Sequence, residues 1–241
     1  MNILVLGASS NIGYNITTIF CKNNCMILVG RDRKVLVDLQ DQCLTRHAKR
    51  IIIFSSDLYV NHNLLLEQIK DIKIDLIINA LSSTSRLRDY QLTFDRINYY
   101  LHIDILVPLK IMEECIRNNP GVRAKIIFIS SILSLVPSKD RKFYSASKRI
   151  FEIALERSYV ESRNINFQII FLGKVFETKS QRSSRRLANF ANFILRNHQK
   201  GNKIAIYGFE GKILFATYLL SPLLLFLLQK VQRYLRPENN V

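Results

Sequence analysis

The chain has 241 residues and a mass of 28.1 kDa, a length that suits one α/β domain or at most two small ones. Hydrophobic residues make up 48% and charged residues 22%, which excludes an intrinsically disordered chain. With only eight glycines and five prolines, collagen-like and low-complexity chains are excluded as well.

The net charge of +16 is unevenly distributed. Residues 1–120 contain 14 basic and 12 acidic side chains, whereas residues 121–241 contain 21 and 7. The basic half either meets an anionic partner, such as a phosphorylated substrate, an anionic membrane surface or nucleic acid, or is simply a solvated surface. No base-stacking aromatic pattern accompanies the basic stretches, so we predict no nucleic-acid partner.

The cysteines are predicted to be packing residues rather than disulfide partners or metal ligands. None of the four lies in a CxxC pair, and no histidine pair has zinc-ligand spacing, so we predict reduced thiols and no metal site. The chain opens directly on an apolar strand, without a basic segment and cleavage site. We therefore expect a cytoplasmic protein.

Short apolar runs alternate with longer helical patterns along most of the chain. The predicted strands are 2–6, 26–29, 51–54, 76–80, 125–130 and 167–172. The predicted helices are 12–21, 33–46, 64–72, 94–118 (with Pro108 inside) and 143–162. This alternation predicts βαβ units around a doubly wound parallel sheet. We assign one domain over 1–210 and an apolar helical extension over 211–241.

A glycine-containing turn lies between the first strand and the first helix, where a dinucleotide-binding fold holds the pyrophosphate. Gly7 would allow the tight turn, and Gly13 would allow close packing of the helix on the sheet. Asn11 replaces the middle glycine of the usual pattern. The predicted phosphate contacts are Gly7, Ser9, Ser10, Asn11, Ile12 and Gly13.

The end of the second strand predicts the cofactor type. Gly30 offers no carboxylate to a ribose 2′-hydroxyl, and Arg31 follows it, which favours NADP over NAD. Asp32 remains an alternative, either pairing with Arg31 or taking the carboxylate role. Further cofactor contacts are predicted after the third and fourth strands, at Asp57, Leu58, Asn79 and Ala80.

Tyr144 and Lys148 are four residues apart on one helix face. A phenol is a poor acid–base group at neutral pH, and a nearby ammonium would lower its pKa. Ser131 ends the fifth strand thirteen residues before Tyr144, at the edge where such clefts form. Its hydroxyl would steady a carbonyl or alkoxide oxygen.

From residue 1 to about 178, this ordered set resembles the short-chain dehydrogenase/reductase family, in its ordinary branch. The resemblance implies a Rossmann-type fold, hydride transfer with NADP or NAD, and catalytic roles for three residues. Tyr144 would be the acid–base group, Lys148 would hold the nicotinamide ribose and tune Tyr144, and Ser131 would orient the substrate oxygen. Asp104 stands where the family has a catalytic Asn, and Val175 completes the predicted cofactor contacts.

The C-terminal third leaves alternatives open. Arg182, Arg185 and Arg186 lie where the family has a variable substrate lid, so they would either grip a substrate phosphate or form a solvated helix face. Residues 213–228 form a 16-residue apolar run with basic flanks, shorter than the roughly 20 residues of a membrane span. Peripheral contact with the cytoplasmic face of a membrane, a homo-oligomer interface and a core helix all remain open.

The leading prediction is an NADP-preferring oxidoreductase acting on a carbonyl/alcohol pair. A loose similarity to reductases of cell-envelope polysaccharide synthesis points to a sugar or lipid-linked sugar as substrate. The alternative is a non-catalytic, cofactor-binding sensor or scaffold on the same fold, which Asn11 and Asp104 favour.

Overall fold

Seven parallel strands form the sheet in the computed structural model, in the order β3-β2-β1-β4-β5-β6-β7. The structure describes residues 1–82, 91–119, 124–136, 141–162, 165–173 and 185–220. The strands are β1 (Asn2–Leu6), β2 (Cys25–Gly30), β3 (Arg50–Ser55), β4 (Leu76–Asn79), β5 (Ala124–Ser131), β6 (Ile165–Leu172) and β7 (Ile204–Tyr207). The prediction of a doubly wound parallel sheet is confirmed.

Helices cover both faces of this sheet and bury its apolar strands. They are α1 (Asn11–Phe20), α2 (Arg33–Thr45), α3 (Leu58–Ile69), α4 (Phe94–Leu101), α5 (Val107–Arg117), α6 (Lys142–Ser162), α7 (Arg185–Gln199) and α8 (Phe209–Leu220). Buried side chains of α1, α2 and α7 form the core on one face, and those of α3, α5 and α6 form the core on the other. Strands buried on both faces explain their uninterrupted apolar sequences.

The strand order places the site. β1 lies between β2 and β4, so the chain winds first to one side of β1 and then to the other. Loops that leave β1 and β4 therefore diverge and open a crevice at the carboxyl edge of the sheet, where ligands bind in this class of fold.

The long helix predicted over 94–118 is interrupted by a π-helical turn, His102–Leu106, between α4 and α5. The amide of Val107 donates to the carbonyl of His102, five residues earlier, which is the π register. Pro108 has no amide hydrogen for the carbonyl of Asp104, so a regular α-helix cannot continue through this turn. The turn positions Asp104, which is 4% exposed.

β7 and α7 were not predicted, and α8 overlaps the predicted helical extension. β7 pairs with β6 at the edge of the sheet, and α8 begins at Phe209, ahead of the predicted domain boundary at 210. Within α8, Leu214, Phe215 and Tyr218 pack against the core, whereas Ile213 is 47% exposed. The start of the apolar run is therefore a core helix, and its remainder, with Pro222, lies outside the described residues.

Across the described ranges, no helix combines the length and the apolar character needed to cross a membrane. The proposed peripheral contact through residues 213–228 is a different kind of contact and stays a prediction.

Replacing Phe151 with Ala should strongly destabilise the fold. Its ring is fully buried on α6 and packs 4.4 Å, centroid to centroid, from that of Phe128 on β5. We expect a loss of about 3–5 kcal/mol in the free energy of unfolding, measured by urea denaturation. Phe94→Ala is the matched control, because that ring is 82% exposed, and it should change stability by less than about 0.5 kcal/mol. Equal losses in the two variants would contradict this assignment of the core.

Candidate active site

The loop after β1 is shaped by the backbone of β2 and by its own cap. Gly7 has φ +83°, and the amides of Gly7 and Ala8 both donate to the carbonyl of Val29, at 2.9 and 2.8 Å. Ser10 caps α1, its Oγ accepting from the amide of Gly13 at 3.0 Å. The amino end of α1 is thereby held at the crevice beside β1, and this arrangement fits the pyrophosphate of a dinucleotide.

The end of β2 has no room for a side chain at Gly30. A Cβ atom there would lie 2.9 Å from the Cβ and 3.1 Å from the amide nitrogen of Ser9. An acidic ribose clamp is thus sterically excluded at this position. Asp32 caps α2, its Oδ1 accepting from the amide of Val35 at 3.1 Å, and the carboxylate role for Asp32 stays a prediction. Arg31, which follows Gly30 at this strand end, is exposed.

Arg31 is joined to the end of β3 through a residue that the sequence did not single out. Its Nη1 donates to the hydroxyl of Tyr99 at 3.2 Å, and that hydroxyl donates to Oδ2 of Asp57 at 2.8 Å. Asp57 also caps α3, its Oδ1 accepting from the amide of Tyr59 at 2.9 Å. The adenosine end of the predicted cofactor site is therefore built on three elements.

The end of β4 closes the other side of the crevice. The amide of Ala80 donates to the carbonyl of Leu6 at 2.9 Å, and Oδ1 of Asn79 accepts from the amide of Leu81 at 3.1 Å. A Cβ atom on Gly7 would lie 2.9 Å from the carbonyl oxygen of Ala80, so the loop after β1 and this turn touch. Nδ2 of Asn79 is buried and has no hydrogen-bond partner among the residues that the structure describes.

Ser131, Tyr144 and Asp104 come together beside this turn, on β5, α6 and the π-helical turn. Burial raises the pKa of Tyr144, and a hydrogen bond from the Ser131 hydroxyl works in the opposite direction. The carboxylate of Asp104 is near enough to raise the pKa of Tyr144 further, because a second negative charge opposes the phenolate. The sequence predicted a lowered pKa, and the structure shows the opposite direction.

The ammonium of Lys148 is bound by main-chain carbonyls. Its Nζ donates to the main-chain carbonyls of Leu81 at 2.9 Å and Ile129 at 3.2 Å, and it lies 4.8 Å above the ring of Phe128. The side chain is 3% exposed, and burial lowers its pKa, while the negative charges of Asp104 and Glu152 raise it. The ammonium is thus held by the strand ends rather than by the phenol.

Glu152 is a buried residue of the site that the sequence analysis missed. It lies one helical turn beyond Lys148, accepts a hydrogen bond from Ser130 and forms an ion pair of 3.0 Å with Arg149. Burial raises its pKa, and hydrogen bonds from Ser130, Ser134 and Arg149 oppose that shift. The spacing of four residues from Lys148 was a signal available in the sequence.

The structure thus brings together most of the predicted residues. The following predicted residues lie at the carboxyl edge of the sheet: the loop from Gly7 to Gly13, Arg31, Asp57, Leu58, Asn79, Ala80, Asp104, Ser131, Tyr144 and Lys148. Val175 and Arg182 fall outside the described residues. Arg185 and Arg186 are exposed in the first turn of α7.

A protein-family model described as short chain dehydrogenase matches residues 1–187. The chain belongs to the short-chain dehydrogenase family. The predicted family is therefore confirmed. A curated relative, the uncharacterised oxidoreductase YvaG of Bacillus subtilis, is 22% identical over 163 residues. The match spans 66% of this short-chain dehydrogenase and 61% of YvaG, about three-fifths of the relative's length.

Solved structures of other short-chain dehydrogenases share the fold. A short-chain dehydrogenase from Sphingobium yanoikuyae in complex with NADPH superposes with a TM-score of 0.76 at 17% identity, over 85% of this chain and 86% of that one. The bulky-bulky ketone specific alcohol dehydrogenase of Comamonas testosteroni gives a TM-score of 0.75 at 17% identity, over 100% and 96% of the two chains. At these identities the likeness concerns the fold.

We predict that the Tyr144 phenol ionises above its ordinary pKa of about 10 in the protein without cofactor. Burial and the Asp104 carboxylate disfavour the phenolate, so the phenol stays protonated until the pH exceeds that value. The measurement is an ultraviolet phenolate titration of the wild type minus that of Tyr144→Phe. A difference midpoint well below 10 would show instead that Lys148 controls the phenol.

Proposed function

We propose that this short-chain dehydrogenase is an NADP-preferring oxidoreductase that interconverts a carbonyl and an alcohol. The observation that carries the proposal is the convergence of Ser131, Tyr144 and Lys148 at the crevice, with Arg31 at the cofactor end of the same edge. NADP preference rests on the exclusion of a side chain at Gly30 and on the exposed guanidinium of Arg31. Guanidinium groups bind phosphate with paired, charge-assisted hydrogen bonds.

The side chains divide the proton chemistry among them. Tyr144 with a raised pKa carries its proton at neutral pH and donates it to a carbonyl oxygen as that oxygen gains charge. The Ser131 hydroxyl donates a hydrogen bond to the same oxygen and orients it. The nicotinamide ring, when bound, supplies the hydride. In the opposite direction, Tyr144 must first lose its proton, so alcohol oxidation is favoured at higher pH.

Lys148 and Asp104 act behind Tyr144. For Lys148 to reach a ribose hydroxyl, its ammonium must exchange at least one of the Leu81 and Ile129 carbonyls for that hydroxyl. Asp104 favours the charged form of Lys148 through the exchange. A non-catalytic cofactor-binding protein is the second candidate, and the observation that favours it is this inward-turned ammonium, which is bound by main-chain carbonyls rather than by the phenol.

The substrate proposal rests on charge near the crevice. Phe20, at the end of α1, lies 6.0 Å from His198 in the last turn of α7, centroid to centroid, so the two helices run in the same direction. Arg185 and Arg186 therefore start α7 at the edge where α1 starts. A phosphorylated sugar or a lipid-linked sugar is the substrate class that suits this charge. A lipid-linked substrate would also account for peripheral membrane contact through residues 213–228, and a homo-oligomer is the alternative use of that run.

Wild-type protein should bind NADPH more tightly than NADH, and Arg31→Ala should reduce the difference by about 1.5 kcal/mol, a factor near ten. The substitution removes the guanidinium that would bind the 2′-phosphate, a group that NADH lacks. Fluorescence titration with each nucleotide measures both affinities. Equal affinity of the wild type for the two nucleotides would contradict the NADP preference.

Tyr144→Phe should abolish turnover while leaving NADPH binding almost unchanged, because only the proton donor is removed. General acid catalysis of this kind contributes about 10²–10⁴-fold, and we expect a loss in that range. Lys148→Ala should lower both turnover and NADPH affinity. The assay follows NADPH absorbance with a panel of keto sugars and bulky ketones. If Tyr144→Phe keeps the wild-type rate, another group is the proton donor, whereas a wild type that turns over none of these substrates favours the non-catalytic candidate.

A further inference from the structure

The carboxyl ends of β2 and β3 are tied to α4 by one phenol. The hydroxyl of Tyr99 stands between Nη1 of Arg31, at 3.2 Å, and Oδ2 of Asp57, at 2.8 Å. The three residues are separated by 68 and 42 positions in sequence, so only the fold brings them together. Neither the predicted loop nor the predicted catalytic set contains Tyr99.

The direction of these two hydrogen bonds is fixed. A phenol has one hydrogen, and a carboxylate only accepts, so Tyr99 donates to Asp57 and its oxygen accepts from Arg31. Burial, followed by the hydrogen bond to Asp57, raises the pKa of Tyr99 to about 12. The hydroxyl therefore stays protonated at neutral pH, and Arg31 always meets an acceptor rather than a competing donor.

Neighbouring side chains hold this phenol in place. Asp57 is anchored because its second oxygen caps α3, and the ring of Tyr99 lies 5.1 Å from that of Tyr59 and 5.5 Å from that of Tyr100, between centroids. Arg31, in contrast, is exposed. An arginine has about 2 kcal/mol of rotamer entropy to lose on binding, and a fixed partner removes part of that loss in advance.

We infer that Tyr99 is a positioning residue for cofactor selection: it holds the guanidinium of Arg31 at the end of β2, ready for the 2′-phosphate of NADPH. The inference rests on the proposed NADP preference and adds to it a residue on a different element. One donor of the guanidinium is used by Tyr99, and a guanidinium has five. Arg31 can therefore form paired hydrogen bonds to a phosphate while it stays hydrogen-bonded to Tyr99.

Tyr99→Phe tests the inference, because it removes the hydroxyl and keeps the ring packing. We expect NADPH affinity to fall by about three- to tenfold, the range for one lost hydrogen bond, and NADH affinity to stay unchanged. Titration with adenosine 2′,5′-bisphosphate and adenosine 5′-monophosphate should show the same contrast without the nicotinamide end. Tyr100→Phe is the matched control: it alters the adjacent ring on the same helix and should leave all four affinities unchanged.

A double-mutant cycle separates positioning from a merely structural role. If Tyr99 acts through Arg31, then Tyr99→Phe has no further effect on NADPH affinity in the Arg31→Ala background. An equal loss for NADPH and NADH, or a loss that persists without Arg31, would overturn the inference. A wild type that does not prefer NADPH would overturn the proposed preference and this role together, whereas a preference unaffected by Tyr99→Phe would overturn this role alone.

Discussion

A positive charge buried under the sheet edge determines how this short-chain dehydrogenase is assembled. Moving an ammonium out of water costs several kcal/mol unless the protein replaces its hydration. The two carbonyls, the Phe128 ring and two nearby carboxylates make that replacement around Lys148. These partners come from β4, β5, the π-helical turn and α6 itself. The position of α6, and with it that of Tyr144, is therefore set where these elements meet.

Asp104 affects the ionisation of Lys148 and Tyr144 in opposite ways. The same negative charge favours the ammonium of Lys148 and disfavours the phenolate of Tyr144. An uncharged amide at this position would do neither. Asp104 therefore favours both the protonated phenol of Tyr144 and the charged form of Lys148. Pro108 contributes to this effect, since it forces the turn that points Asp104 inward.

The first six strands could be predicted to within one or two residues, because most of them are apolar runs buried in the sheet; the edge strand β3 is only partly buried. β7 was missed although its four residues are all apolar, because so short a run does not by itself distinguish a strand from part of a helix. The apolar run from Ile213 was assigned to an extension, although three side chains of α8 belong to the core. Composition cannot distinguish a helix that covers a sheet edge from one that leaves the domain.

Some site residues could be predicted from the sequence and others could not. Gly7, Tyr144 and Lys148 could be found because their chemistry depends on local spacing. The pKa of Tyr144 could not be predicted, because the orientation of Lys148 depends on carbonyls 67 and 19 positions away in sequence. The role of Tyr99 could not be predicted from the sequence for the same reason. Its importance comes from contacts between strand ends and a helix, and no spacing along the chain encodes them.

The contact between Gly30 and Ser9 also limits how this protein can evolve. An acidic residue at position 30 would be the simplest route to NAD use, yet any side chain there meets the Cβ and amide of Ser9. The amide of the neighbouring Ala8 is hydrogen-bonded to Val29, so the loop cannot easily retreat. A side chain at position 30 therefore requires a coupled movement of the loop after β1.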